Sequence, residues 1–325
     1  MKTNKKRIAD FNQNDSTNKP LVSICMLTYN HENFIRESID SILMQQVDFP
    51  IEVLIHDDAS TDNTQSILKS YHNKYPGLFK LKLQVKNQRS KFGGGMNPRF
   101  NYPRAKGKYI ALLEGDDYWT DSLKLQKQVD FLEANEAYSM CFTRFQTKNE
   151  VSGLIEKDNN GHYFVGHEQY IDFNFEKFYK GWHIGTQSVV FKKNPDVLKS
   201  FHDYKMPRDV HLYTELLKHG KGACLKDFCA MYRITGKGVY TSISKRNQIK
   251  KGAEVYEDIY LLNKDNPYLK LKYRKFLRPY LRQLLASKKP LSFIKEALHC
   301  YQITGDTSYL KQDLKLFLKT IKSKF

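Results

Sequence analysis

Glu114-Gly115-Asp116-Asp117 sets three carboxylates within four positions, directly after the apolar run YIALL (109–113) and before Tyr118-Trp119. Three anions at the mouth of a buried strand repel one another. Acidic residues ahead of a helix can cap its free N–H groups and suit its dipole. Capping takes one residue per helix, however, and Thr120 or Asp121 also stands ready for the next one. A hard divalent cation bound through oxygen removes the repulsion, and Mg2+ or Mn2+ completes its shell with substrate phosphates. A second acidic stretch, HDDAST (56–61), follows another apolar run, and its Asp57, Asp58 or Ser60 offers a cap to the helix behind it.

The elements that carry these clusters are legible from hydrophobic pattern. LVSICMLT (21–28) and IEVLIH (51–56) are short apolar runs, as expected of strands covered on both faces. Ile35, Ile39, Ile42 and Leu43 fall on one face of a helix between them, and a second helix is expected over 62–75. A strand at KLKLQVK, the strand at 109–113 and a helix marked by Leu125, Val129 and Leu132 follow. This alternation predicts βαβ units, an α/β fold with a mostly parallel central sheet flanked by helices. Ligands of such sheets bind beyond the carboxyl ends of the strands, where both acidic clusters lie. NQRSKFGGGMNPRF (87–100) breaks the periodicity and reads as a loop that moves over a ligand.

Composition bounds the remainder. The 325 residues, 40% of them hydrophobic, suffice for one large domain with an appendage. No apolar stretch is long enough to span a bilayer, and the polar first 20 residues lack the apolar centre of a secretory signal. Residues 1–19 read as a disordered leader. Cys25, Cys141, Cys224, Cys229 and Cys300 form no CxxC pair and read as buried, reduced thiols of a cytoplasmic protein, with no zinc site. The net charge is +18, of which residues 266–325 carry +11, with 14 Lys/Arg against 3 Asp/Glu. From about 249 the pattern is helical, with Leu277, Leu281, Leu284 and Leu285 on one face and Leu310, Leu314, Phe317, Leu318 and Ile321 on another. The expected organisation is a leader (1–19), an α/β domain (20–245) and a basic helical appendage (246–325).

Four segments together resemble a known family: VSICMLTYNHENFIRESIDSIL, IEVLIHDDASTDNT, AKGKYIALLEGDDYW and PRDVHLYTELLKHGKGACLKDFCAMYRITGKGV. In order and spacing, over roughly residues 20–240, they are similar to the family 2 glycosyltransferases of the GT-A fold, inverting enzymes that use nucleotide sugars. The resemblance implies that Thr28, Asp57 and Asp58 contact the nucleotide. It places Glu114-Gly115-Asp116 where the family has its D-x-D, so that Asp116 holds Mn2+ or Mg2+ with support from Asp117. Glu114, one methylene longer than the usual aspartate, lies toward the ribose or the metal's water shell. Asp209, by itself readable as a helix cap before Val210, Leu212, Leu216 and Leu217, matches the catalytic base. Thr235 stands where many relatives have a histidine ligand, which implies a cation held more weakly or through water. The Q-x-x-R-W motif of processive members is missing, so transfer of a single sugar is implied.

WHIGTQSVVFKK (182–193) resembles the segment bordering the acceptor, which makes Trp182, His183 and Gln187 acceptor candidates; a tryptophan there serves a core equally well. His31, His56 and His211 lack ligand spacing and read as structural or surface residues. The expected donor is a nucleotide diphosphate sugar, UDP being the commonest in the family, and the expected acceptor a glycan or lipid-linked hydroxyl in surface polysaccharide synthesis. The basic tail reads either as a solvated helical cap or as a dock on an anionic membrane, peripheral at the inner face of the cell membrane. A nucleic-acid partner fits the charge but not two acidic clusters at strand ends. A nucleotidyltransferase uses similar carboxylates but leaves PRDVHL without a role, and a catalytically silent scaffold is the third alternative.

Overall fold

The computed structural model describes residues 5–10, 19–205, 207–236 and 243–322. The chain divides into two units, Met1–Lys237 and Gly238–Phe325, a few residues before the expected boundary. The strands of the first unit are β1 (Lys6–Arg7), β2 (Val22–Thr28), β3 (Gln46–Val47), β4 (Ile51–Asp57), β5 (Phe79–Leu83), β6 (Tyr109–Glu114), β7 (Tyr118–Trp119), β8 (Tyr138–Asn149), β9 (Ile155–Lys157), β10 (Tyr170–Phe173), β11 (Val189–Lys192) and β12 (Lys221–Ile234). Its helices are α1 (Ile35–Leu43), α2 (Thr64–Lys74), α3 (Gln88–Phe92), α4 (Lys124–Ala134), α5 (Phe175–Gly181), α6 (Pro195–Ser200) and α7 (Asp209–Lys218).

One sheet runs in the order β10-β12-β8-β11-β6-β2-β4-β5, with β7 on β12 and β9 on β8. β5, β4, β2 and β6 are mutually parallel. From β2 the chain steps outward through β4 to β5 and then returns to β6 on the other flank of β2. That reversal creates a crevice beyond the carboxyl ends of β2, β4 and β6, where Thr28, Asp57 and Glu114 stand. β11 runs antiparallel between β6 and β8, and β12 lies parallel to β8. Val22, Ile24, Met26, Val53, Ile55, Ala111 and Leu113 form the core with Ile35, Ile39 and Ile42 of α1.

Two expectations change. Residues 1–4 and 11–18 of the expected leader lie outside the described residues, but Lys6 and Arg7 pair with Val47 and Gln46. The cause is Ile8, which is fully buried and whose N–H donates to Gln45 O at 2.8 Å. The segment 87–100 is not wholly loop either. Asn87 Oδ1 accepts from Ser90 N at 2.7 Å to start α3, and Gly93, at φ 73°, ends it.

The second unit holds α8 (Lys245–Leu261), α9 (Pro267–Ala286), α10 (Pro290–Thr304) and α11 (Thr307–Lys322). Leu269, Tyr273, Leu277, Leu281, Phe293, Ala297 and Cys300 are buried in it, and the buried Arg274 guanidinium donates to both oxygens of Asp313. No described helix is long and apolar enough to cross a membrane. All five cysteines are buried free thiols.

Before β6 the backbone passes so close to β2 that a Cβ on Gly107 would lie 2.6 Å from Ser23 N. Gly107 N also donates to Ser23 Oγ at 2.9 Å, and that hydroxyl donates to the buried Glu52 at 2.7 Å. Gly107→Ala is therefore expected to destabilise the first unit by about 1–3 kcal/mol. Calorimetry checks this, and an unchanged melting temperature would show that the β2–β6 entry tolerates displacement.

Candidate active site

One carboxyl oxygen from each of Glu114, Asp116 and Asp117 lies within 4.8 Å of the other two. Gly115 lets the turn approach β2: its N–H donates to Leu27 O at 2.8 Å, and a Cβ there would meet Thr28 Oγ1 at 2.7 Å and His31 Nδ1 at 2.9 Å. Arg233, 3% exposed at the end of β12, holds the turn from behind. Its backbone N–H donates to Asp117 Oδ1 and its Nη1 to Asp116 O, both at 2.8 Å. The same guanidinium donates to Glu150 at 2.8 Å and to Glu37, and lies 4.2 Å over the Tyr118 ring. Asp117 Oδ2, Thr28 Oγ1 and His31 Nδ1 are buried with no hydrogen-bond partner among the described residues.

Burial, then Asp116 and Asp209, push Glu114 up to about 8, against the pull of Arg89. Burial, Asp116 and Glu114 likewise hold Asp117 well above the ordinary carboxylate range. Tyr232 is raised by burial and then by Asp117, Glu114, Asp116 and Asp209. Asp209, about 95 residues from the acidic turn in sequence, thus shares its electrostatic space. A second acidic grouping shows the contrast: Asp121, Asp227 and Cys229 also converge, but Lys127 Nζ donates to Asp121 at 2.7 Å and Asp227 at 2.6 Å. The chain supplies the cation there. At Glu114–Asp117 an orphaned buried oxygen and two carboxyls pressed toward their protonated forms fit a divalent cation.

Asp57 and Asp58 have defined internal partners. Asp57, fully buried, accepts from Ser60 N at 3.0 Å, from Ser60 Oγ and from Gln65 Nε2 at 2.6 Å. Asp58 accepts from Gln88 N at 2.6 Å and Arg89 N at 3.0 Å, gripping the start of α3. That grip brings the Arg89 guanidinium into the field of Glu114, Asp58 and Asp209, beside Arg208; burial lowers its pKa. Asp209 is exposed, and its Oδ2 accepts from Thr186 Oγ1 at 2.8 Å. The N-cap of α7 is Arg208, whose N–H donates to His211 Nδ1 at 3.0 Å, and Asp209 is the first helical residue.

The acceptor candidates separate. The Trp182 ring is stacked on Tyr163 at 4.1 Å and packed against Phe173 at 4.9 Å, the core alternative for a tryptophan. His183 is tied through its backbone to Asn160 and its ring lies against Phe145. Gln187 is fully buried with neither amide atom partnered among the described residues, while its carbonyl accepts from Trp119 Nε1 at 2.7 Å.

Three site residues escaped the sequence reading. His31, expected to be structural or surface, has Nε2 3.7 Å from Asp116 Oδ2. Arg89 and Arg208 bring positive charge to a crevice otherwise lined by carboxylates. A histidine three residues after a strand end and an arginine directly before Asp209 were the available signals.

Residues 23–202 match Glycosyl transferase family 2, and the chain belongs to that family. The Mycobacterium tuberculosis protein Rv1520 is 35% identical over 224 residues, 68% of this chain and 61% of its own length. The chain thus spans about three-fifths of the curated relatives it first matches. Escherichia coli WfgD, a UDP-Glc:alpha-D-GlcNAc-diphosphoundecaprenol beta-1,3-glucosyltransferase, is 27% identical over 78% of this chain and 90% of its own. The structure of S. aureus TarS 1–349 in complex with UDP-GlcNAc superposes with a TM-score of 0.56 at 19% identity, covering 92% of this chain and 81% of that one. The fold is the GT-A-like α/β architecture with a helical C-terminal region.

Carboxyl groups whose pKa is raised on folding stabilise the protein below their unfolded values, and that contribution is lost as pH rises through the folded value. The metal-free protein should therefore lose stability between about pH 5 and the folded value of about 8 for Glu114. Glu114→Gln should flatten this loss, and Mn2+ should raise the melting temperature more at the upper end than at the lower. An Mn2+ shift that is the same at both ends would count against the cluster as the binding site.

Proposed function

We propose that the chain transfers one sugar from a nucleotide diphosphate sugar, most simply a UDP-sugar, to a hydroxyl of a glycan or lipid-linked acceptor in surface polysaccharide synthesis, with inversion. The observation that carries this reading is the clustering of Glu114, Asp116 and Asp117 around a buried oxygen unpartnered among the described residues, at the carboxyl end of β6, with Asp209 contributing to the same field. The names of relatives support the substrate class: WfgD acts on a diphosphoundecaprenol acceptor, and TarS binds UDP-GlcNAc.

In this reading Thr28, Asp57 and Asp58 form the floor for the nucleotide, and Glu114 faces the ribose. Asp116 and Asp117 would hold Mn2+ or Mg2+, which when bound neutralises charge on the departing diphosphate. Arg89 and Arg208 add fixed positive charge on the same side. Asp209, oriented by Thr186 and open to solvent, takes the acceptor proton. The acceptor oxygen forms its bond to the anomeric carbon as the bond to the diphosphate breaks, and the electron pair leaves on the diphosphate oxygen. Attack opposite the leaving group gives inversion in one displacement. Gln187, with His183, is the better acceptor candidate, since the Trp182 ring is already engaged by Tyr163 and Phe173.

Asp209→Asn is expected to lower turnover by about 10²–10⁴-fold while leaving UDP binding in Mn2+ unchanged. Asp116→Ala should remove the Mn2+-dependent stabilisation by UDP, about 2.7 kcal/mol for wild type at 100 times the dissociation constant. Thermal shift and donor-consumption assays separate the two. Near wild-type turnover in Asp209→Asn would reject the base, and no nucleotide-dependent shift in the wild type would favour a silent scaffold. Turnover of a nucleoside triphosphate instead would favour nucleotidyl transfer.

A further inference from the structure

The second unit carries an apolar surface that its own packing leaves uncovered. On α10, Leu291 is 81% exposed, Ile294 40% and Leu298 46%; on α11, Leu314 is 52% and Leu318 55% exposed. In the first unit Val85 and Val165 are isolated, as scattered surface residues are, and Val151, Leu154 and Ile155 group about one turn rather than along a helix.

The five residues form stripes. At about 100° per residue, Leu291, Ile294 and Leu298 share one side of α10, as Leu314 and Leu318 share one side of α11. The buried side of each helix points elsewhere, through Phe293, Ala297 and Cys300 on α10 and through Tyr309 and Asp313 on α11. Only Gly305 and Asp306 separate the helices, and Phe293 near the start of α10 stacks on Phe317 near the end of α11 at 5.6 Å. The two helices therefore run antiparallel. In both, the exposed stripe comes next around the axis after the residue making that contact: Ile294 after Phe293, Leu318 after Phe317. Opposite chain directions turn both stripes to the same side of the pair, so they border one seam.

The charges around the seam have one sign. Lys295, Lys311, Lys315 and Lys319 are exposed on the two helices. The only acidic residues of 290–322 are Glu296, Asp306 and Asp313. Asp306 is held by Lys270 at 3.0 Å and Asp313 by Arg274 on the α9 side, and Glu296 lies among Glu257, His299 and Lys250 on the α8 side. Leucines between lysines, with no free carboxylate beside them, match the interface of an anionic bilayer, where side chains enter the acyl boundary while ammonium groups stay at the phosphates. A protein partner would have to match both an apolar ridge and a surplus of positive charge, and a second copy of this face would bring lysine against lysine.

We infer that the α10–α11 hairpin is a membrane-docking surface, seated on anionic phospholipid through Leu291, Ile294, Leu298, Leu314 and Leu318. This extends the charge-based expectation from sequence to a particular face and to partial insertion. It stands on the surface alone, so its failure leaves the transferase reading intact.

The test uses the full chain and sedimentation with vesicles of phosphatidylcholine, alone or mixed equally with phosphatidylglycerol. Wild type should bind the mixed vesicles and not the neutral ones. Replacing Ile294, Leu298, Leu314 and Leu318 by Ser leaves the net charge unchanged, yet should weaken binding at least about ten-fold. Lys295→Glu with Lys311→Glu and Lys315→Glu should weaken it similarly. UDP-dependent thermal shift should be the same in all of them and reports the first unit, while unchanged helical circular dichroism reports that the second unit is folded in each. Equal binding to both vesicle types, no binding by wild type, or full binding by the serine variant would overturn the proposal. So would a wild-type dimer in light scattering that the serine variant converts to monomer, since a second copy would then cover the face.

Discussion

Everything in the crevice depends on how three like charges are kept together. The turn Glu114–Asp117 is held at its backbone: Gly115 presses against Thr28 and His31, and Arg233 ties Asp117 Oδ1 and Asp116 O from behind. Arg233 is neutralised in turn by Glu150 and Glu37 and capped by the Tyr118 ring, so its guanidinium stays directed at the backbone. The turn is thus made rigid at the cost of one carboxyl oxygen, Asp117 Oδ1, while Asp117 Oδ2 is left unpartnered among the described residues. Lys127 at Asp121 and Asp227 does the reverse, quenching the charge and closing that grouping to a ligand.

Rigidity there requires long-range structure. Arg233 reaches the turn because β12 pairs with β7, Met231 opposite Tyr118, and with β8 along its whole length. The opposite wall is built by the other acidic stretch. Asp57 closes its own turn through Ser60, while Asp58 fixes the start of α3 and with it the Arg89 side chain. A carboxylate committed to backbone N–H groups is held in place, so Asp57 and Asp58 act first as the frame of the crevice. Any nucleotide meets a surface whose negative charge is largely satisfied on one wall and unsatisfied on the other.

Sequence alone showed the β2–α1–β4–α2–β5 and β6 order because strands covered on both faces are continuous apolar runs, and it showed the acidic turn because its charges are contiguous. It did not show β8 or β12. Their outer halves, TRFQTKN and LKDF, alternate or break pattern at the irregular pairings between Leu225 and Ala230. Trp182 was ambiguous for a related reason: its stacking partner Tyr163 lies in an irregular segment with no period to place it. His31 and Arg89 were missed because each is positioned by a contact across the crevice, one through Gly115 and one through Asp58.

Asp209 is the instructive case, since an aspartate opening a helix has an ordinary explanation. A capping carboxylate accepts from N–H groups of the helix's first turn. Here that end is closed by Arg208 and His211, and the Asp209 carboxyl instead accepts from the Thr186 hydroxyl just ahead of β11. With the cap at Arg208, an acid at this position gives the helix only its dipole contribution. The acid also carries a cost, because it adds to the field that drives Glu114 toward protonation. A negative side chain that leaves the cap to its neighbour and opposes the charges facing it is only partly accounted for by folding, through the helix dipole. In the proposed reading, its exposure and its hydrogen bond from Thr186 suit it to take the proton of an incoming hydroxyl.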